Sequence, residues 1–283
     1  MVMSAVIPSV TPVDTSTAVQ PLPISDVPVN TATDGSTISI TTPDSSPTNP
    51  VVIEAPTSGS FNVAPATQGA NVVIRGDGNA SINIGIATTG GATENFGGST
   101  INVDENYAGD VTANFNNAIV SGIVDKDTDT GNGSIAENAP SDAGDFNFYI
   151  NTGAGSDQIQ GTQGNDFIRA GAGNDVVNSG AGNDVVRLGT GTDEVTFGSG
   201  DDILYLTVDQ LQTPTGQSQT KEITDFDSDG DDKIQISKDL ENLVDITGLG
   251  TNAITISLSG DQTGTTNITS GGETIDDDDI EFV

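Results

Sequence analysis

Six aspartates recur at nine-residue intervals in the second half of the chain, each of them two residues after a glycine. They fill the sixth position of six consecutive nonapeptides, which cover residues 152–160, 161–169, 170–178, 179–187, 188–196 and 197–205. The aspartates are Asp157, Asp166, Asp175, Asp184, Asp193 and Asp202. Carboxylates and backbone carbonyls are the oxygen ligands that Ca²⁺ takes in sets of six to eight, so this pattern indicates calcium binding.

Glycine recurs in the same nonapeptides and completes the candidate ligand set. The fourth position is always glycine, and the second is glycine in all but one copy; the candidates are Gly153, Gly155, Gly164, Gly171, Gly173, Gly180, Gly182, Gly189, Gly191 and Gly200. Glycine permits the positive φ angles and the close backbone approach that a tight turn around an ion requires. One turn supplies too few oxygens, so stacked turns must share each ion.

The eighth position of every nonapeptide is aliphatic, which predicts a short strand with one inward side chain. These residues are Ile159, Ile168, Val177, Val186, Val195 and Leu204. Burying one of them contributes about 1.5–3 kcal/mol, whereas ordering the backbone costs about 1–2 kcal/mol for each residue. The thin apolar core cannot balance that cost, so we expect the block to be largely unfolded until it binds calcium.

The nonapeptide resembles the RTX, or haemolysin-type calcium-binding, repeat, whose pattern is Gly-Gly-x-Gly-x-Asp-x-(aliphatic)-x. The resemblance covers roughly residues 151–240 and the extreme C-terminus. It implies a right-handed parallel β-roll in which two repeats make one turn and ions lie between repeats on the same side. About four interior sites follow, pairing Asp157 with Asp175, Asp166 with Asp184, Asp175 with Asp193 and Asp184 with Asp202. The chain departs from the pattern at Thr162 and at five first positions, Thr152, Ala170, Ser179, Leu188 and Phe197.

The rest of the chain predicts an all-β protein with four segments. Residues 1–50 are rich in Pro, Thr and Ser and predict an extended arm or linker, which is either disordered or docked on another subunit, where residues 37–40 could add a strand to an exposed edge. Residues 51–150 carry short strand patterns about ten residues apart, as in a β-solenoid or a β-sandwich; we favour the solenoid. Residues 151–206 form the roll. Residues 207–283 follow, with residues 222–234 expected to cap it.

Two further groups of aspartates invite comparison with an EF-hand loop. The loop at residues 125–131 alternates aspartates with other residues but has no later bidentate acid, so a solvated turn is the favoured interpretation. Asp225, Asp227, Asp229 and Gly230 copy the opening of an EF-hand, yet its twelfth position is Ile236. An irregular terminal calcium ligand at Asp231 or Asp232 is the alternative.

Composition removes several classes of function. The 41 acidic and 7 basic residues give a formal net charge of −34, which disfavours nucleic acid and anionic membranes as partners. No apolar run is long enough to predict membrane insertion. Neither Cys nor His occurs, which excludes disulfides, thiolate or histidine metal sites and His-dependent hydrolase mechanisms. We therefore expect no enzymatic activity.

These observations predict a secreted protein that takes Ca²⁺ as its only cofactor. The first residues lack the features of a Sec signal, whereas residues 276–283, acids followed by a short apolar tail, resemble C-terminal signals of type I secretion substrates. The preferred function is a structural component of an extracellular filament, surface layer or matrix, with self-association. The alternative is a calcium-dependent adhesin or polysaccharide-binding exoprotein.

Overall fold

The structure is a computed structural model that describes residues 29–40, 50–65, 70–85, 98–115, 124, 140, 146–213, 218–227, 230–259 and 264–283. Strands dominate these ranges, which otherwise contain one helical turn at Val208–Leu211 and 3-10 turns at Lys238–Leu240 and Asp277–Asp279. The expected all-β fold is confirmed. In the described part of the chain, no helix has the length and apolar character needed to cross a membrane.

The strands are short and are numbered here in chain order. They are β1 (Val29–Thr31), β2 (Thr37–Ile40), β3 (Val51–Glu54), β4 (Ser60–Pro65), β5 (Asn71–Arg75), β6 (Ser81–Gly85), β7 (Ser99–Val103), β8 (Val111–Asn114), β9 (Phe148–Asn151), β10 (Gln158–Gln160), β11 (Asp166–Arg169), β12 (Val176–Ala181), β13 (Val185–Arg187), β14 (Thr192–Ser199), β15 (Ile203–Leu206), β16 (Gln219–Ile223), β17 (Lys233–Ile236), β18 (Val244–Thr247), β19 (Ala253–Leu258), β20 (Thr265–Ser270) and β21 (Ile280–Phe282).

From β1 to β17, consecutive strands belong to opposite sheets, so the chain winds as a solenoid. One sheet has the order β1-β3-β5-β7-β9-β11-β13-β15-β17-β21, and the other runs from β2 through the even strands to β16, then β20, β19 and β18. Each strand from β1 to β15 pairs in parallel with the strand two further along, whereas β16 and β17 pair in parallel with β20 and β21. The pairing therefore supports the solenoid interpretation of the upstream region over the sandwich, and strand pairing is continuous from the upstream region into the roll.

The register within the repeats is fixed at two nonapeptides per turn. Ile168 pairs with Val186, and Ile159 pairs with Val177, an offset of 18 residues in each sheet. The eighth-position side chains are all buried, as expected, and they stack along the axis. Side chains alternate across a strand, so this register puts the sixth-position aspartate on the same inward side as the aliphatic residue two positions later.

The upstream turns hold a broader apolar core than the repeats. Phe61, Tyr107, Phe115 and Phe148 are fully buried there, and they belong to one hydrophobic cluster that continues through the repeats to Ile275. Phe115 and Phe148 pack with ring centroids 4.7 Å apart. Aromatic side chains bury large apolar areas, so these turns depend on hydrophobic packing far more than the repeats do.

The described part of the predicted arm, residues 29–40, and the predicted cap are both built into the sheets. Residues 37–40 add to an edge as the pattern suggested, but that edge belongs to β4 of the same chain. Residues 222–234 contribute to β16 and β17, which extend the two sheets by another turn because Ile223 and Ile234 remain inward and buried. The antiparallel strands β18 and β19 follow, and β21, from the predicted secretion signal, pairs with β17.

Three predicted features lie wholly or largely outside the described residues. Of the predicted arm at residues 1–50, only residues 29–40 and 50 are described. The aspartate loop at residues 125–131 is the second. The strand candidate at residues 118–124 is represented by Val124 alone, which forms an isolated antiparallel bridge with Phe146. Val124 and Phe146 join Tyr149, Phe167, Val185 and Tyr205 in a second, smaller apolar cluster.

Candidate metal centre

The sixth-position aspartates form two ladders, one on each side of the solenoid. Column one is Asp157, Asp175 and Asp193; column two is Asp166, Asp184 and Asp202. All six are buried. Within a column, each Oδ1 accepts the backbone N–H of the aspartate one turn earlier, at 2.9 and 3.0 Å in column one and 2.7 Å for both bonds in column two. The structure thus brings together all four aspartate pairs that the sequence suggested.

The other carboxylate oxygen, Oδ2, has no hydrogen-bond partner in four of the six aspartates. The Oδ2 atoms of Asp157, Asp175, Asp184 and Asp202 are buried and have no hydrogen-bond partner. A buried acceptor without a partner costs about 1–3 kcal/mol, and more when it is charged. The neighbouring hydroxyls of Thr152 and Ser179 give their single protons to the carbonyls of Ala170 and Phe197, at 2.9 and 2.8 Å. Four anionic oxygens are therefore available to a cation.

Burial raises the pKa of these carboxyl groups strongly. It raises the pKa of Asp157 and Asp202 to about 7 and that of Asp175 to about 8. The pKa of Asp184 is raised well above its usual value, first by burial and then by the charges of Asp166 and Asp202. Without a cation, these carboxyl groups in the folded chain therefore keep their protons to a much higher pH than an ordinary aspartate does. A bound divalent ion would oppose that effect by stabilising the ionised form.

Asp166 differs from its five counterparts because Thr162 satisfies both of its oxygens. The Thr162 hydroxyl donates to Oδ1 and the Thr162 N–H donates to Oδ2, each at 2.6 Å. Burial still raises the pKa of Asp166 to about 8. Thr162 stands where the other nonapeptides have their second glycine, so the departure from the repeat pattern marks the aspartate that is least available to an ion.

The carboxylate of Asp193 also has a partner, Lys221, a residue that the repeat pattern did not reveal. Lys221 is fully buried, and its Nζ donates to Asp193 Oδ2 and, at 2.7 Å, to the carbonyl oxygen of Gly189. Burial lowers the pKa of Lys221 and raises that of Asp193, and the attraction between the two groups opposes both shifts. A second-position carbonyl and a sixth-position carboxylate thus enclose a positive charge.

The glycines allow successive turns to lie in contact. A Cβ atom at Gly171 would be 1.7 Å from the Gly153 carbonyl oxygen, and one at Gly189 would be 1.4 Å from that of Gly171. No side chain fits at either position. The remaining glycine candidates lie in the same stacked turns, with Gly155, Gly173 and Gly191 on the side of column one and Gly164, Gly180, Gly182 and Gly200 on the side of column two. Their carbonyls are thereby repeated once per turn beside the aspartates.

Carboxylates alone do not make a metal site in this fold. Among the described residues, no three acidic side chains gather at one point. An ion at an unpartnered Oδ2 would need backbone carbonyls to complete its six to eight oxygen ligands. The Gly189 carbonyl and the Asp193 carboxylate, which both contact Lys221, show that a glycine carbonyl and a carboxylate lie together here, and oxygens are the donors that calcium prefers.

Aspartates of the EF-hand-like segment at residues 225–232 accept hydrogen bonds from backbone N–H groups. Asp225 accepts the N–H groups of Phe197 and Gly198, each at 2.8 Å. Asp232 is buried and accepts from Asp202 and Asp227, whereas Asp231 is exposed and contacts Lys233. Asp229 lies outside the described residues. Asp225, Asp227 and Asp232 are therefore engaged with backbone donors.

Comparison with protein families identifies the same repeats. A sequence model of the RTX calcium-binding nonapeptide repeat, in four copies, matches residues 151–186 and 178–204. A search of the curated proteins finds no match. Matching solved structures include the solution structure of the R3 subunit of a mannuronan C5-epimerase from Azotobacter vinelandii. It is 22% identical, with a TM-score of 0.35, over 45% of this chain and 78% of that one.

Proposed function

We propose that this chain, whose residues 151–204 are RTX calcium-binding nonapeptide repeats, is a secreted, non-catalytic structural protein of an extracellular filament, surface layer or matrix. Such repeats bind calcium, and they are typical of secreted proteins. The four buried, unpartnered carboxylate oxygens carry the proposal. They support a fold that bound cations would complete. Extracellular calcium, at about the millimolar level to which extracellular calcium modules are tuned, would supply them.

The proposed ligands follow from the two columns. Asp157, Asp175, Asp184 and Asp202 supply the free carboxylate oxygens, and the stacked glycine turns on the same side supply carbonyls. The bound ion neutralises the carboxylates and joins one turn to the next. Export through type I secretion machinery would suit this arrangement, because that route carries an unfolded chain and the scarce calcium of the cytosol would leave the repeats unfolded.

The open ends of the solenoid support self-association. Among the described strands, β1 and β2 are edge strands at the start of the two sheets, and β21 and β18 are the edge strands at the other end. All three residues of β1 are exposed. Unpaired edges accept further strands, so copies of the chain could join end to end. The residues 151–204 would then act as a rigid, calcium-dependent segment of the assembly.

Electron microscopy of the purified chain with calcium and with chelator tests the structural role. We expect calcium-dependent filaments or oligomers, and V29K should weaken them because it places a charge on the β1 edge. T112K is the matched control, since Thr112 is an exposed residue of the internal strand β8. A chain that stays monomeric in calcium contradicts the proposal, and a monomer that binds polysaccharide supports the adhesin instead.

An aspartate pair tests the ligand assignment. D175N replaces a free carboxylate oxygen with an amide N–H₂, so we expect the calcium midpoint of folding to rise about tenfold and at least one ion to be lost. D166N is the same substitution in the same motif position, but Thr162 already engages that carboxylate. It should change the midpoint about twofold or less. Calorimetry and circular dichroism measure both, and equal effects of the two variants contradict the assignment.

A further inference from the structure

Lys221 continues the aspartate ladder of column one. Strand β16 is the next strand after β14 in its sheet, and the register pairs Asp193 with Lys221. Along the axis, column one therefore reads Asp157, Asp175, Asp193 and then Lys221. The position that would hold a fourth aspartate holds a lysine, and its side chain is fully buried.

The contacts of Lys221 are those expected of a cation in a repeat turn. Its Nζ meets Asp193 Oδ2, the atom equivalent to the unpartnered Oδ2 of Asp157 and Asp175. It also meets the carbonyl oxygen of Gly189, whose counterparts one and two turns earlier are Gly171 and Gly153. The chain's own ammonium group therefore shows where a positive charge is held in this turn.

Column two ends in a different way. Asp202 pairs with Asp232 through the register of β15 and β17, so that ladder continues with another aspartate. The two oxygens of Asp232 accept the N–H groups of Asp202 and Asp227, at 3.0 and 2.8 Å. Backbone donors thus complete the last carboxylate of column two, as Lys221 completes the last one of column one.

We propose that the ammonium group of Lys221 takes the place of calcium in the last site of column one. The inference rests on the proposed calcium sites and adds that one of them is filled by a tethered cation. The solenoid turn that contains β16 then packs on the turn that contains β14 without an ion between them. It presents an ordered last rung on which the calcium-dependent turns can stack.

Exchange of the tethered charge for a carboxylate tests the proposal. K221D extends column one to a fourth aspartate, so the full chain should bind one calcium ion more than the wild type. K238D is the matched control, because it makes the same charge change at an exposed lysine of the 3-10 turn. Its calcium stoichiometry should equal that of the wild type. Equilibrium dialysis with calcium alone counts the ions, and circular dichroism reports folding.

The outcomes separate this inference from the proposed function. A wild-type chain that binds no calcium contradicts both. If the wild type binds calcium but K221D gains no ion, or fails to fold at tens of millimolar calcium, the ammonium does not occupy a calcium position. K221M provides a second measurement, since it removes the charge and supplies no ligand. It should need about tenfold more calcium to fold without gaining an ion, and an unchanged midpoint overturns the proposal.

Discussion

Chelation of calcium is expected to unfold residues 152–205 while the described turns upstream, at residues 29–40, 50–65, 70–85 and 98–115, stay folded. In the repeats, four buried carboxylate oxygens lose their cations and repel one another within each column. The upstream turns instead bury Phe61, Tyr107 and Phe115 in an apolar core. Hydrogen exchange followed by mass spectrometry would show lost protection in the repeats alone, together with a decrease in strand content by circular dichroism.

Magnesium provides the control for this expectation. It is smaller than calcium, requires near-octahedral geometry and gives up its water reluctantly, so it should not restore the fold at equal concentration. Restoration by calcium and not by magnesium supports sites built from carbonyls and carboxylates. Equal protection of the repeats with chelator and with calcium would show that the fold does not depend on the ion.

Lowering the pH should partly restore the folding of the repeats in the absence of calcium, as measured by circular dichroism. The pKa of Asp157, Asp175 and Asp202 rises from 3.8 to about 7 or 8 in the fold, so the folded chain binds more protons than the unfolded chain between these values. The stability due to these groups is complete below pH 4 and is lost as the pH rises through 7 to 8. With chelator present, strand content should increase as the pH falls from 8 to 5. A decrease would contradict the assigned burial.

G189A is expected to abolish the calcium-induced folding of the repeats or to raise its calcium midpoint at least tenfold. A Cβ atom would lie 1.4 Å from the Gly171 carbonyl oxygen, and φ at this residue is +78°. The two turns would have to separate, which breaks the strand pairing and moves carbonyls away from the ion. A calcium titration followed by circular dichroism measures the midpoint.

G250A distinguishes backbone strain from collision. Gly250 has φ of +80°, almost the value at Gly189, but the nearest atom to an added Cβ is Asp276 Oδ1 at 3.7 Å. Alanine there costs about 1–2 kcal/mol in backbone strain. We expect its calcium midpoint to change about twofold at most. Similar midpoints for G189A and G250A would mean that close stacking of the turns is not required.

The register of the roll was predicted from the nonapeptide phase together with the resemblance to the RTX repeat. The resemblance implied two repeats per turn, so Asp157 and Asp175 were expected to meet one turn apart, with Ile159 and Val177 stacked beside them. The upstream turns were predicted from strand spacing, although their unequal turn lengths hid the pairing. The first turn of the solenoid was missed because the prolines on either side of residues 29–40 suggested an arm. The segment between those prolines is long enough to form β1 and β2, which pair with β3 and β4.

The partners of two aspartates, Thr162 at Asp166 and Lys221 at Asp193, could not be predicted from the repeat spacing. Thr162 was visible as a departure from the pattern, but its effect depends on where its hydroxyl and N–H point. Lys221 pairs with Asp193 across 28 residues and Asp232 pairs with Asp202 across 30, in place of the usual 18. The helical turn at Val208–Leu211 and its neighbours interrupt the phase. Beyond that interruption, spacing no longer tells which residue stacks on which.

The parallel pairing has a mechanical consequence. Hydrogen bonds between strands run across the strands, so in this solenoid they point along the axis on which the turns stack. Tension applied between the two ends would load these bonds in series, and the chain would lengthen one turn at a time. Ions that bridge successive turns lie along the same line of force. Calcium would therefore set the tensile strength of the repeats as well as their folding.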